Sequence, residues 1–274
     1  MNIKRIKDFK EYTSFINSFI NDSDFSDPHL LMKLEKGKDI NDWAKNPENI
    51  CISIENNDKV LGLFVYYTIP EENYLEMMMG LSRDPEAVKE FVEYLVDNYK
   101  GYQADCVFNP RWSIFKKELE KHGAIFDIEQ QRMVYNHKTI DIDTSEIQAY
   151  TETYREQYIE IHTGDRYWTA EKTIEAKDRF NIFLAINDNI VVGYIDVSNC
   201  FDENEPYDLY VKPEYRGKGF GKKLLIKALQ TNEPKEMMLL VDIDNPIAIK
   251  LYESVGFVKK DRFNMLTAKL LINN

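Results

Sequence analysis

The sequence predicts a mixed α/β protein made of two copies of one pattern. Strands and helices follow each other in the same order twice along the 274 residues. Landmarks recur at an offset near 131–136 residues: Val60-Leu61-Gly62 answers to Val191-Val192-Gly193, Asn109-Pro110 to Asn245-Pro246, and Gly123 to Gly256. Such self-similarity at domain length indicates a tandem duplication. The joint falls in residues 138–145, which divides the chain into 1–140 and 141–274. A glycine-rich basic turn, Arg216 to Gly221, stands between a strand and a helix in the second copy only.

The first copy opens with a helix over 8–20, where Phe9, Tyr12, Phe15, Ile16, Phe19 and Ile20 recur at helical spacing. A short helix is expected from His29 to Lys36. Ile50–Ile54 and Lys59–Tyr67 flank the turn signal Asn56-Asn57-Asp58 and read as a hairpin. Tyr74–Leu81 is a strand, and its methionines are core filling. Pro85–Tyr99 is a helix, Gln103–Phe108 a strand, and Asn109-Pro110 caps a helix that ends near Gly123. One strand is expected over 125–134. In the second copy, 152–162 and 169–179 are helical. Strands are expected at 181–186, 190–198, 206–212 and 236–242, with helices at 220–230 and from Asn245-Pro246 to Gly256. The last strand lies within 257–270.

Hydrophobic residues make up 43% and charged residues 30% of the chain, which places it among globular proteins. The net charge of −12 disfavours nucleic acid and suits a cationic small substrate. No run approaches about 18 apolar residues, and no leader pattern opens the chain, so no membrane partner is expected. Three scattered cysteines and four histidines without ligand spacing indicate no disulfide framework, no metal and a cytoplasmic location.

The turn carries the chemistry. Gly217, Gly219 and Gly221 let the backbone approach a ligand closely. Free N–H groups at the start of the following helix point back at the turn, where the helix dipole favours an anion. Arg216, Lys218, Lys222 and Lys223 add positive charge. It is not a P-loop, since no Gly-Lys-Ser/Thr follows. It is not a dinucleotide fingerprint either, since Lys222 stands where the third glycine belongs.

The segment Arg216-Gly217-Lys218-Gly219-Phe220-Gly221 resembles the R-x-x-G-x-G signature of the GNAT acetyltransferase superfamily. Asn245 to Phe257 is similar to that family's N-x-x-A-x-x-L-Y-x-x-x-G-F motif at every specified position. The resemblance covers the second copy; the first matches in outline. It implies two tandem domains, each a mostly antiparallel central sheet flanked by helices, with acetyl-CoA as acyl donor. It implies that the strand at 207–211 splays from the strand at 237–242. Leu209 and Val211 would then hold the pantetheine, and the amides of 216–221, with Phe220 and Lys222 among their residues, the pyrophosphate. Asn245 would contact the pantetheine arm, and Tyr252 would give a proton to the departing thiolate. From the sequence alone, Ile247, Leu251 and Val255 form the stripe by which the last helix packs on the sheet.

A proton acceptor for the amine is sought among Glu205, Asp208 and Asp196. Glu205 stands at the strand start, where some relatives place a base, and alternation puts it on the face of Leu209 and Val211. The function implied is transfer of an acetyl group to a primary amine of a small molecule or peptide, in a direct ternary complex, by a monomer or homodimer. Two rivals remain: a non-catalytic sensor or scaffold that binds coenzyme A, and a transferase of another acyl group. Aromatic residues at Tyr154, Tyr158, Tyr167, Trp168 and Phe201 suit an amine with an apolar portion. The first copy has Asp84 and Glu86 where the cradle would be, and Leu119 where the tyrosine would be. It is therefore expected to lack tight cofactor binding.

Overall fold

The computed structural model describes residues 1–138, 140–162 and 168–273. Tyr167 therefore lies outside the described residues. In chain order the elements begin with β1 (Asn2–Arg5), α1 (Thr13–Ile20), α2 (Pro28–Glu35), α3 (Asn41–Lys45), β2 (Asn49–Asn56), β3 (Lys59–Ile69) and β4 (Tyr74–Ser82). There follow α4 (Pro85–Asn98), β5 (Gln103–Phe108), α5 (Ser113–Lys121), β6 (Ile125–Phe126) and β7 (Gln130–Tyr135). The second half contains β8 (Ile147–Ala149), α6 (Arg155–Ile161), α7 (Ala170–Glu175), β9 (Phe180–Asn187), β10 (Ile190–Ser198), β11 (Glu203–Asn204) and β12 (Pro206–Val211). It closes with α8 (Phe220–Asn232), β13 (Glu236–Asp242), α9 (Pro246–Ser254), β14 (Phe257–Lys259) and β15 (Leu266–Leu271).

The chain forms two compact units, and they do not divide at one point near residue 140. Unit 1 takes residues 1–131, 242–244 and 260–274; unit 2 takes 132–241 and 245–259. Each of two tracts read from sequence as single strands holds two. In 125–135, β6 belongs to the sheet of unit 1, while β7 joins β13 and β14 in unit 2. In 257–271, β14 pairs with β7 (Phe257 with Tyr135), while β15 pairs with β5 (Ala268 with Cys106) in unit 1. Hydrophobic pattern alone shows where strands are, not which sheet receives them, and so it suggested a single cut.

Unit 1 has one seven-stranded sheet in the order β1-β2-β3-β4-β5-β15-β6. Its faces are both covered. Ile52, Ile54, Phe64 and Tyr66 pack with Val88, Phe91 and Leu95 of α4. Cys51, Leu63 and Val65 pack with Phe9, Phe19 and Leu30 on the other side. This two-sided burial explains why β3 reads as a continuous apolar run. The α5 helix starts later than Asn109-Pro110 suggests. The Asn109 amide donates instead to the carbonyls of Ser23 (2.9 Å) and Ser26 (3.1 Å), and Trp112 fills the intervening turn.

Unit 2 holds two four-stranded sheets, β12-β10-β9-β8 and β11-β13-β7-β14. The α8 helix buries Phe220, Leu224, Leu225, Ala228 and Leu229 against one face. Tyr158 and Ile161 of α6 and Ile174 of α7 cover the other face of the β12-containing sheet. Among the described residues no helix is long and apolar enough to cross a membrane.

The exchanged strand gives a direct test. Ala268 is fully buried between β5 and β6. Ala268→Asp should destabilise unit 1 by at least about 3 kcal/mol, the order expected for an uncompensated buried charge. Hydrogen exchange should then accelerate at Gln103–Phe108, far away in sequence. Acceleration confined to residues 141–259 would refute the assignment.

Candidate active site

The site begins where two strands part. Glu203 and Asn204 of β11 pair in parallel with Glu236 and Met237 of β13. Asn204, 1% exposed, fixes this point: its side-chain Nδ2 donates to Asn232 Oδ1 at 2.8 Å, and its Oδ1 accepts from the Phe201 backbone N–H at 3.0 Å. Beyond it, β12 turns into the other sheet and forms its edge, with β10 beside it. The Lys212 amide donates to Val192 O at 2.9 Å. Backbone groups alternate in direction along an antiparallel pair, so those of Leu209 and Val211 face away from β10, toward the opening.

Close approach of β12 to β10 depends on Gly193. A Cβ there would lie 2.6 Å from Tyr210 O and 3.1 Å from Val211 Cγ2. After β12 a single 3₁₀ turn, Pro213–Tyr215, leads into the glycines. Gly217 and Gly219 have φ of +75° and +90°, and a Cβ on either would meet no described atom within 4 Å. Backbone conformation, not crowding, demands glycine here, and the space above the turn is open. Among the described residues no side chain caps α8 at Gly219, and no acid lies in its first turn. Phe220 anchors that end, buried and edge-on to Tyr215 at 6.0 Å.

Arg216 does more for the turn than its charge alone suggests: its Nε donates to Val211 O at 2.9 Å and ties the loop back to β12. Lys218 Nζ lies 4.8 Å from the Tyr215 ring centre. Lys223 pairs with Glu146. A Cβ at Gly221 would be 3.4 Å from Leu251 Cδ2 and 3.8 Å from Val211 Cγ2, so β12, α8 and α9 converge at this point.

On α9, Asn245 Oδ1 accepts from the Ala248 amide at 3.0 Å and caps its own helix. Ile247 is 82% exposed, which corrects the expected packing stripe. Leu251 and Val255 pack on the core as expected, and Ala248, Ile249 and Tyr252 join them in place of Ile247. Tyr252 is half-buried, its ring edge-on to Phe257 at 5.9 Å.

The acids lie on the other face of β12. Asp196 pairs with Asp208 but Val197 with Pro206, so Tyr207 is an extra residue in the ladder. This bulge overturns simple alternation. Glu205, whose carbonyl accepts from the Ser198 amide at 2.9 Å, shares a face with Asp208 rather than with Leu209 and Val211. Burial, with the Glu203 carboxylate adding to it, pushes the Glu205 carboxyl above its ordinary range. Asp208 Oδ2 accepts from the Tyr194 hydroxyl at 2.7 Å. Asp196 is fully buried and meets the Tyr158 hydroxyl and His162 Nε2, each at 2.9 Å. Sequence reasoning took Tyr158 as one of the aromatic residues suited to the acceptor and passed over His162 and Tyr194. The usable signal was a polar i, i+4 pair on the apolar face of α6, opposite the strand face that carries Asp196.

Unit 1 has the same parting of strands with the opening filled. There β4 and β5 pair from Tyr74/Gln103 to Met77/Cys106 and then separate. Past that point the Gly80 amide donates to buried Asp27 at 3.1 Å, and Trp112 Nε1 donates to Ser82 O at 2.9 Å. A Cβ at Gly80 would lie 2.8 Å from the Trp112 ring. Asp84 Oδ1 accepts from the amides of Glu86 (3.0 Å) and Ala87 (2.9 Å), so the chain's own carboxylate caps the start of α4.

Fold and geometry thus join parted strands to an open glycine turn and to a helix start that no described side chain caps. Comparison with known proteins agrees. Residues 178–259 match the family model described as an acetyltransferase (GNAT) domain. A spermidine N(1)-acetyltransferase of Thermoplasma acidophilum is 31% identical over 122 residues, 41% of this chain and 75% of that protein. An uncharacterized N-acetyltransferase from the SPbeta prophage of Bacillus subtilis is 30% identical over 108 residues, 37% of this chain; the match spans 59% of the relative's length. A tandem GNAT protein from the clavulanic acid biosynthesis pathway superposes with a TM-score of 0.54 at 11% identity, over 100% of this chain and 99% of its own, a likeness of fold. The chain belongs to the GNAT family of acetyltransferases.

Two outcomes follow from the geometry. Gly193→Ala should force β12 away from β10, costing about 1–3 kcal/mol of stability and weakening any ligand held on its far edge; calorimetry and titration read both. The raised Glu205 acid means that the folded state keeps a proton the unfolded chain has lost. Stability therefore falls as pH rises from the ordinary carboxyl range through the folded value. Glu205→Gln should remove that fall, stabilising the protein above the window and not below it. Denaturation at a series of pH values checks the sign.

Proposed function

We propose that the second unit transfers an acetyl group from acetyl-CoA to a primary amine of a small molecule or peptide. The observation that carries this reading is the parting of β12 from β13 beside an open, positive-φ glycine turn and an uncapped α8. These residues fit the cofactor. The amides of 217–221 suit a pyrophosphate, assisted by Lys218 and Lys222. The outward backbone of Leu209 and the outward N–H of Val211, whose carbonyl is held by Arg216, suit the pantetheine arm. Bound acetyl-CoA would supply an acetyl group already activated as a thioester. Charge-assisted hydrogen bonds of this kind contribute roughly 1.5–3 kcal/mol each.

The remaining work falls to side chains. Tyr252 donates its hydroxyl proton to the departing sulfur, leaning on Phe257 for position. The amine nitrogen must lose a proton as it acquires the acyl carbon, and Asp208 or Glu205 accepts it, directly or through water. Asn245, whose Oδ1 is engaged in capping α9, would contact the pantetheine arm through its NH₂ group. The acceptor enters over α6 and α7, where Trp168, Phe180 and Tyr207 form an aromatic chain at 5.0 and 5.8 Å. Unit 1, closed by Asp27, Asp84 and Trp112, supports the fold without a second cofactor.

Calorimetric titration of acetyl-CoA should give about one site per chain, abolished by Gly219→Glu. Two sites would refute the assignment of unit 1, and none would refute the transferase. A panel of primary amines that includes spermidine should show turnover. Tyr252→Phe should then lower kcat by about 10²–10⁴, the usual value of a positioned acid, with KM little changed.

A further inference from the structure

The carboxylates of β10 and β12 raise a problem of charge. Asp196 and Asp208 are register partners on neighbouring strands, so they stand side by side on one face. Two anions so placed repel each other, and the more so where water is scarce. Asp196 is fully buried, with the Tyr158 hydroxyl 2.9 Å from both of its oxygens and His162 Nε2 2.9 Å from Oδ2. The Tyr194 ring, whose hydroxyl donates to Asp208, stacks on His162 with centroids 4.9 Å apart and meets Tyr158 edge-on at 5.3 Å. One aromatic layer therefore connects the imidazole to both carboxylates.

Burial pulls the His162 imidazole down, but the Asp196 carboxylate against it, with Asp208 beyond, outweighs this and raises it. Burial also pushes Asp196 up, offset in part by His162 and Tyr158. With one proton between them the pair would be net neutral whichever atom carried it. Asp208 then faces a neutral neighbour rather than an anion. The other groups facing His162 among the described residues are Tyr158 on α6, Tyr194 on β10 and Glu171 on α7, with Tyr150 packed behind Tyr158 at 5.8 Å and Tyr210 behind Tyr194 at 6.0 Å.

We propose that His162 is a positioning residue: it neutralises Asp196 so that Asp208 remains the anionic contact for the ammonium group of the acceptor. The proposal rests on the transferase reading above and names the charge class of its substrate. Tyr158 holds the pair in place, and Tyr194 orients Asp208. His162 itself need not touch the substrate.

The test has two arms. In the first, kcat/KM is measured against pH with acetyl-CoA and the fastest amine of the panel. His162→Gln leaves two carboxylates to share a proton, so the acidic limb should move up by about one pH unit or more, with about tenfold lower kcat/KM below it. Asp196→Asn should leave the limb in place, and adding it to His162→Gln should restore the limb. A His162→Gln profile that superimposes on that of the unmodified protein overturns the proposal. In the second arm, the His162 ring protons are titrated by NMR. A midpoint above the ordinary 6.5 that drops in Asp196→Asn supports the neutral pair; a midpoint at or below 6.5 in the unmodified protein overturns it. Absence of turnover with every amine would count against the transferase reading, while the NMR arm still decides for or against His162. Should His162→Gln fail to fold, the NMR arm, with the near-isosteric Asp196→Asn, decides alone.

Discussion

Everything at the site depends on one strand leaving its neighbour. A β-strand normally has its backbone groups paired on both sides, and unpaired ones are costly when shielded from water. Asn204 ends the pairing with β13, and from there β12 keeps a single partner. Gly193 permits that partner to come close, Arg216 ties the following loop back to Val211, and Leu251 braces the junction with α8. The unpaired edge and the open amides are therefore held in place by groups that do not themselves need to touch a ligand. Rigidity of the frame is what makes a loose-looking glycine turn usable.

The first unit shows the same constraint answered differently. Its strands also part, and the free groups there are satisfied from within: a buried aspartate on the strand amide, an indole on the strand carbonyl, a second aspartate on the helix start. Each takes a place that a ligand would otherwise occupy. An internal carboxylate at close range, already ordered, is a strong competitor for a free anion. The opening in unit 1 is thus filled rather than empty.

Much of this was legible in the sequence, and the residues show why the rest was not. The glycine turn, the Asn-Pro helix start and the hairpins are local features, and local chemistry specifies them. Asp84 was visible as an acid in the wrong place for an anion. Three matters depended on contacts distant in sequence. The destination of β7 and β15 is a choice between sheets with equally apolar faces. The bulge at Tyr207 shifts Glu205 to the opposite face, and the proline beside it, Pro206, marks a strand start as readily as a bulge. The role of His162 arises from Asp196, 34 residues away, and no spacing rule connects them. β1, with the polar sequence Asn2-Ile3-Lys4-Arg5, was overlooked because an edge strand needs little apolar character.

The exchange of strands also has a consequence for the birth of the molecule. β15 lies inside the sheet of unit 1, between strands made about 140–170 residues earlier. A nascent chain can lay down β1 to β5 and their helices, but the gap beside β5 stays open until residue 271 has left the ribosome. Contacts of such long range are slow to form and leave a bare strand edge in the meantime. Translation therefore exposes unit 1 as an unfinished sheet throughout the synthesis of unit 2, a period in which a chaperone, or a neighbouring nascent chain, would find an edge to pair with.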